Sequence, residues 1–173
     1  QILLVESETA MFPEAKFTGA VISGSFNPLH SGHTELARVA ENILGLPVAF
    51  ELSAINVDKP ALTPTNILER LKQFDYSRPV FITGSPLFND KARIFQSCTF
   101  VIGWDTASRI LNKKYYNNSD RQMMYSLNII TQYSCNFLVA GRVDEGEFRR
   151  LSEINIPSQF RGLFIELPES EFR

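Results

Sequence analysis

Histidine and cysteine are both scarce in this chain, which contains two of each among its 173 residues. Cys98 and Cys135 are far apart and show no metal-ligand spacing, so we interpret them as buried, reduced thiols of an intracellular, cytoplasmic protein. No run approaches the roughly 20 apolar residues that span a bilayer, which excludes a membrane helix. The opening run Gln1–Val5 is too short for a signal peptide and lacks a basic region before it.

An excess of charge of either sign is also missing. Seventeen basic residues face 19 acidic ones, which gives a formal net charge of -2. This balance excludes a general attraction to nucleic acid and leaves only local basic sites for small anions. The length favours one compact domain. We interpret residues 1–16 as an N-terminal lead-in to it, and because the chain begins with Gln rather than Met, we expect it to be cut from a longer one.

Apolar runs alternate with segments of helical period. The predicted strands are residues 17–23, 48–55, 80–83, 100–102, 137–140 and 163–167, and the predicted helices are residues 34–44, 66–74, 85–96, 106–113, 120–133 and 146–154. Residues 6–16 show little periodicity, and residues 115–119 are predicted as a surface loop. The alternation predicts an α/β fold with a doubly wound, Rossmann-like parallel sheet of five to six strands, whose ligands bind beyond the carboxyl ends of the strands.

Both histidines lie in one stretch, Gly24-Ser25-Phe26-Asn27-Pro28-Leu29-His30-Ser31-Gly32-His33, between the first predicted strand and the first predicted helix. The free N–H groups and the dipole of a helix start favour an anion. Gly24 permits a sharp turn after the strand, and Gly32 lets a ligand approach the backbone closely. We therefore predict a site for a nucleoside triphosphate, in preference to two ordinary histidines at a helix start.

This stretch resembles the signature of the HxGH nucleotidylyltransferase superfamily, and most of all that of the nicotinamide and nicotinate mononucleotide adenylyltransferases. Cytidylyltransferases and pantetheine-phosphate adenylyltransferase are more distant members of the same superfamily. The resemblance covers residues 17–167 and makes residues 17–173 a nucleotidylyltransferase domain. It implies transfer of a nucleoside monophosphate from ATP to a phosphate-bearing acceptor, such as nicotinamide or nicotinate mononucleotide, with release of pyrophosphate. Such a reaction belongs to NAD biosynthesis.

The resemblance also implies roles for individual residues. His30 and His33 are the implied catalytic pair, with His33 on the α- and β-phosphate oxygens and His30 on the triphosphate or the attacking phosphate. Lys59 and Arg70 are implied to bind the acceptor's phosphate. The implied nucleotide-binding residues are Gly24, Ser25, Phe26, Gly32, His33, Gly103, Asp105 and Arg142. Mg²⁺ is expected to bind through the nucleotide phosphates, with no metal site built from protein ligands alone.

Three points stay open at this stage. Asp105 also suits an ordinary helix N-cap, and Trp104 suits either stacking on a base or packing. Cytidylyl transfer to a phosphorylated alcohol and nucleotide binding without turnover are the alternative functions. The oligomeric state is undetermined, and a homo-oligomer is one option. The expected partners are a nucleoside triphosphate and a small phosphorylated acceptor, without nucleic acid or membrane.

Two departures from the family pattern stand out. The family closes its site with a Ser-Ser-Thr-x-x-Arg type element at a late helix start, whereas this sequence ends in residues 168–173. We expect that element to lie beyond Arg173, because Glu169 and Glu171 would repel phosphate. In addition, no tryptophan follows the second predicted strand, at residues 56–60, where pyridine-nucleotide enzymes often place an aromatic residue.

Overall fold

A computed structural model describes residues 2–6, 9–55 and 59–172 of the chain. Its main sheet has eight strands, in the spatial order β10-β7-β6-β3-β4-β5-β1-β2, and β8 and β9 form a separate two-stranded sheet. In chain order the strands are β1 (Ile2–Glu6), β2 (Thr9–Met11), β3 (Ala20–Gly24), β4 (Val48–Ser53), β5 (Val80–Thr83), β6 (Thr99–Gly103), β7 (Asn136–Ala140), β8 (Arg142–Asp144), β9 (Glu147–Arg149) and β10 (Phe164–Glu166).

The described helices are α1 (Ser31–Leu44), α2 (Pro64–Leu71), α3 (Phe88–Ile94), α4 (Trp104–Ile110) and α5 (Asp120–Gln132). Short 3-10 helices occupy Lys113–Tyr116, Leu151–Glu153 and Ser158–Leu163. None of the helices in the described ranges is both long enough and apolar enough to cross a lipid bilayer.

The predicted α/β fold with a mostly parallel sheet is confirmed, but the predicted number of five to six strands is wrong. The parallel strands β10, β7, β6, β3, β4 and β5 are joined by β1, which pairs antiparallel with β5, and by β2, which pairs antiparallel with β1. Both additional strands come from the predicted lead-in. The interpretation that residues 6–16 hold no folded element is wrong for β2, whose three side chains are all exposed. Such a strand carries no alternating apolar pattern that a sequence search can detect.

The helix predicted over residues 146–154 is also wrong. The segment instead contributes β9 to an antiparallel hairpin with β8, followed by the 3-10 helix at Leu151–Glu153. Glu145 and Gly146 form the turn with φ of 50° and 83°. A two-residue turn with positive φ at both positions matches the twist of a hairpin, which explains why the chain folds back here.

Helices cover both faces of the sheet. Helices α3, α4 and α5 pack on the face that carries Val21 and Phe100, and helices α1 and α2 pack on the face that carries Ile22 and Phe50. The chain runs from β3 outward to β5 in one direction and from β6 to β10 in the other. The strand order therefore reverses between β3 and β6, and in such sheets ligands bind in the crevice at this reversal, beyond the carboxyl ends.

Candidate active site

Phe26 makes the sharp turn that follows β3. Its φ is 46°, and its side chain is only 2% exposed. The ring packs edge-on against Phe50, Phe74 and His33, with centroid distances of 5.5, 5.3 and 5.1 Å. The prediction that Gly24 makes this turn is therefore corrected. Gly24 instead leaves space for the Phe26 ring, because a Cβ at residue 24 would lie 3.2 Å from that ring.

The two histidines form a reciprocal cap at the start of α1. The Gly32 N–H donates to Nδ1 of His30, and the His30 N–H donates to Nδ1 of His33, both over 3.1 Å. The imidazole rings stack, with their centroids 3.8 Å apart and their planes inclined by 26°. The His33 ring thus lies between His30 on one side and Phe26 on the other.

This cap determines which ring nitrogens carry the protons. A neutral imidazole that accepts a hydrogen bond at Nδ1 carries its proton on Nε2. His30 and His33 therefore both present an Nε2–H donor. Among the described residues neither Nε2 has a protein hydrogen-bond partner. Two unengaged N–H donors on stacked rings at the positive end of a helix suit the oxygens of a polyphosphate.

The expectation of free backbone N–H groups at this helix start needs correction. The Gly32 N–H is taken by the His30 ring, and the His33 N–H donates to the His30 carbonyl over 3.0 Å. Gly32 is needed for the cap itself, because a Cβ would lie 2.9 Å from the His30 ring. Two N–H groups of the first turn are therefore already engaged, and the two Nε2–H groups are donors that the cap leaves for a ligand.

Burial and the neighbouring His30 lower the pKa of His33 below its usual 6.5. At neutral pH the His33 ring is therefore uncharged in the unliganded protein. Protonation would place a second proton on Nδ1, where the ring accepts the His30 N–H. The same hydrogen bond thus favours the neutral tautomer that presents Nε2–H outward.

Arg70 on α2 reaches the same loop. One of its guanidinium nitrogens donates to the Ser25 carbonyl over 2.8 Å. The resemblance placed Arg70 at the acceptor's phosphate, and in this structure its side chain supports the backbone of residues 25–30, the loop between β3 and α1 that is called the histidine loop below.

Gly103, at the end of β6, lies at the same edge of the sheet as Gly24, since β3 and β6 are neighbours. Gly103 is the N-cap of α4, and a Cβ there would meet nothing within 4 Å. The alternative interpretation of Asp105 as the N-cap is wrong, because Asp105 lies inside the first turn of α4. The open space at Gly103 leaves its backbone accessible to a ligand.

Asp105 and Arg142 are brought into direct contact. A guanidinium nitrogen of Arg142 donates to the Asp105 carboxylate over 2.6 Å, and a second one donates to Asp144 over 3.0 Å. Both partners raise the pKa of Arg142 further. Arg142 therefore joins the hairpin to the corner between β6 and α4, while two carboxylates balance its charge. The indole N–H of Trp104, in the same corner, donates a hydrogen bond to the Arg150 carbonyl over 3.1 Å.

A cavity of about 710 Å³ is walled by α3, α4, α5 and the 3-10 helix at Lys113–Tyr116. Thr106, the chain neighbour of Asp105, lines it, and its lining includes neither His30 nor His33. Sequence reasoning identified only Lys59 among its lining residues. The aromatic part of the wall was missed, and it consists of Phe88, Tyr115, Tyr116 and Tyr125. The surface loop predicted over residues 115–119 is wrong for Tyr115 and Tyr116, which belong to the 3-10 helix after α4. The adjacent tyrosines, which begin ten residues after Asp105, were the one sequence feature that could have indicated this aromatic wall. Residues 56–58, part of the predicted stretch before Lys59, lie outside the described residues.

A family model described as cytidylyltransferase-like matches residues 21–146. The match begins inside β3 and ends in the turn between β8 and β9. It therefore includes the histidine pair, the β6–α4 corner and Arg142. A search of curated proteins finds no match to the chain.

Proposed function

We propose, from the premise that this chain belongs to the cytidylyltransferase-like family, that it transfers a nucleoside monophosphate from ATP to the phosphate of a small acceptor and releases pyrophosphate. Membership of that family supports nucleotidyl transfer in general. The observation that carries the proposal is the pair of stacked histidine rings, whose Nε2–H groups have no protein partner among the described residues.

The chemistry needs no covalent intermediate. An oxygen of the acceptor's phosphate attacks the α-phosphorus in line, a bond to that oxygen forms, and the bond to the β-phosphate bridging oxygen breaks. Catalysis of this kind depends on positioning and on neutralising charge as the transition state develops. His33 donates from Nε2 to the α- and β-phosphate oxygens, and His30 donates to the triphosphate or to the attacking phosphate.

A magnesium ion fits this site only if the phosphates of the nucleotide coordinate it, rather than protein side chains. The donors that face the ligand are N–H groups, and the Asp105 carboxylate is already engaged by Arg142. When bound through phosphate oxygens, Mg²⁺ would neutralise part of the triphosphate charge. Asp105 and Gly103 are proposed to contact the sugar and the backbone-facing side of the nucleotide.

The cavity supports an acceptor that has both a ring and a phosphate. Phe88, Tyr115, Tyr116 and Tyr125 offer aromatic surface, and Lys59 offers a charge on the same wall. The Arg109 guanidinium lies 5.9 Å from the centre of the Tyr115 ring, so a second positive charge lies on this wall. Nicotinamide mononucleotide, with its cationic pyridinium ring and one phosphate, has this combination. The product would be a dinucleotide of NAD biosynthesis.

Cytidylyl transfer to a phosphorylated alcohol is the second candidate, and the description of the matching family favours it. The quaternary ammonium of phosphocholine also suits an aromatic wall. We rank this candidate second because the ten-residue motif resembles most of all that of the mononucleotide adenylyltransferases.

The test is a pyrophosphate-release assay with Mg²⁺. The four common nucleoside triphosphates are crossed with nicotinamide mononucleotide, nicotinate mononucleotide, phosphocholine and glycerol 3-phosphate, and His33→Ala serves as the matched control. We expect release with ATP and a pyridine mononucleotide, and none from His33→Ala. Release with CTP and a phosphorylated alcohol would establish the second candidate. Nucleotide binding without release for any pair would identify a module that does not turn over.

A further inference from the structure

Gln73, two residues beyond the end of α2, holds the histidine loop by both ends of its side-chain amide. Its Oε1 accepts the Leu29 N–H over 2.8 Å. Its Nε2 donates to the Phe26 carbonyl over 2.8 Å, and also to the carbonyl of Arg70 over 3.1 Å. One amide therefore bridges two backbone groups of the loop that are three residues apart.

The two groups that Gln73 binds flank the parts of the loop that matter for the ligand. Phe26 adopts the positive φ that turns the chain. Leu29 directly precedes His30, whose own N–H caps the His33 ring. Arg70, three residues earlier, binds the Ser25 carbonyl. Together the two side chains contact the backbone of three loop residues from outside the site.

We propose that Gln73 is a positioning residue, which sets the orientation of His30 and His33 by holding the backbone between Phe26 and Leu29. The proposal rests on the proposed function, because positioning matters only if the two rings meet phosphate. The amide suits this role, since it offers a donor and an acceptor at a fixed spacing and carries no charge that would attract or repel the ligand.

Loss of the Gln73 contacts would reach the His33 ring through the backbone from Leu29 to His30. If Leu29 shifts, the His30 N–H shifts with it, and the acceptor nitrogen of His33 loses its partner. The preference for a proton on Nε2 then weakens in the His33 ring. A displacement of about 1 Å at a reacting centre can reduce a rate by on the order of 100-fold.

Two variants separate the contacts. Gln73→Met retains the length of the side chain and removes both hydrogen bonds to the loop. Gln73→Glu retains the acceptor for Leu29 and removes the donor to Phe26. Lys72→Gln is the matched control, because Lys72 is the adjacent residue and its amino group pairs with Glu69 on the surface. Gln73 is itself exposed, so all three proteins are expected to fold.

Two readouts are needed. The first is steady-state kinetics of the proposed transfer, in which Gln73→Met should lower kcat by about 10- to 100-fold with little change in the KM of the acceptor. The second is ¹⁵N NMR of the ring nitrogens, which resolves only two histidines in this chain. We expect the Nε2–H tautomer in both rings of the wild type and of Lys72→Gln, a mixture of tautomers at His33 in Gln73→Met, and an intermediate state at His33 in Gln73→Glu.

Unchanged ring signals in Gln73→Met would overturn the proposal, whether or not kcat falls, because a fall in kcat would then have another cause. If the wild type turns over no substrate, the proposed function fails, and the ring signals still decide the role of Gln73. In that case titration of tripolyphosphate replaces the kinetics, and weaker binding by Gln73→Met than by Lys72→Gln is expected. Equal binding would overturn the role.

Discussion

The Nζ of Lys91 on α3 lies 2.8 and 2.9 Å from the two carboxylate oxygens of Glu51 on β4, and the two side chains are 3% and 0% exposed. The Ser53 hydroxyl accepts a further hydrogen bond from Lys91 over 2.8 Å, and the Thr83 hydroxyl donates to the Glu51 carboxylate. This ion pair joins the carboxyl ends of β4 and β5 to α3. Since α3 carries Phe88 of the cavity wall, the pair fixes that wall to the sheet.

We expect Lys91→Met to lower the free energy of unfolding by about 3–5 kcal/mol, because it leaves the Glu51 carboxylate buried without its cation. Urea unfolding provides the measurement. The double variant Glu51→Leu with Lys91→Met should recover most of the loss, since it removes both charges. Lys72→Met is the control, because it breaks an ion pair on the surface and should leave stability unchanged. A Lys91→Met protein as stable as that control would contradict the interpretation.

A second prediction separates the two roles of His30. His30→Asn should preserve the stability of α1, since asparagine is a good N-cap, whereas His30→Ala should lose about 1 kcal/mol. Both variants lack the Nε2–H donor, so both should lose transfer activity by on the order of 10²–10³-fold. Thermal unfolding and the pyrophosphate assay measure the two effects. An active His30→Asn enzyme would show that His30 serves only as a cap.

The third prediction concerns pH. The pKa of His33 is lowered in the folded chain, chiefly by burial, from the 6.5 typical of the unfolded one. Between those two values the unfolded state binds more protons, so the free energy of unfolding rises with pH. Stability should therefore fall as the pH drops through 6.5 and level off below the folded pKa. Subtracting the pH profile of His33→Asn isolates the contribution of His33. Parallel profiles for the two proteins would contradict the lowered pKa.

The sequence predicted the parallel part of the fold well, because strands buried on both faces are continuous apolar runs and the helices have clear periodicity. It missed β2, whose exposed side chains carry no pattern. Within the site, the ten-residue motif located the histidine pair after the first parallel strand, whereas the position of the reversal in strand order came only from the structure. The reciprocal cap, the pairing of Arg142 with Asp105 and the tyrosine wall depend on contacts between distant segments, which spacing along one chain does not reveal.

The fourth prediction concerns the charge balance at Arg142, which binds Asp105 and Asp144 at once. A phosphate must compete with these carboxylates for the guanidinium. We expect Asp144→Asn to tighten the binding of ATP by about two- to fivefold, which corresponds to the free energy of one exposed ion pair. Arg142→Met should weaken the binding of ATP. Calorimetric titration of ATP with Mg²⁺ provides the measurement. Arg93→Met, at the end of α3, is the control. If both Asp144→Asn and Arg142→Met bind ATP as the wild type does, Arg142 only supports the hairpin.

The last prediction places the acceptor's phosphate at Lys59, on the wall of the cavity. Lys59→Ala should raise the KM of the acceptor mononucleotide roughly tenfold or more, as expected when a charge-assisted hydrogen bond is lost, and should change the KM of ATP less. A nucleoside that has the same ring but no phosphate makes the test specific. Used as a competitive inhibitor, this nucleoside should bind Lys59→Ala and the wild type equally well, because it has no phosphate for the lysine to bind.

Lys114→Ala, at an exposed position on the nearby 3-10 helix, controls for the general loss of positive charge. If Lys59→Ala weakens the nucleoside as much as the mononucleotide, Lys59 shapes the cavity and binds no phosphate. If only ATP is affected, Lys59 belongs to the nucleotide side of the site.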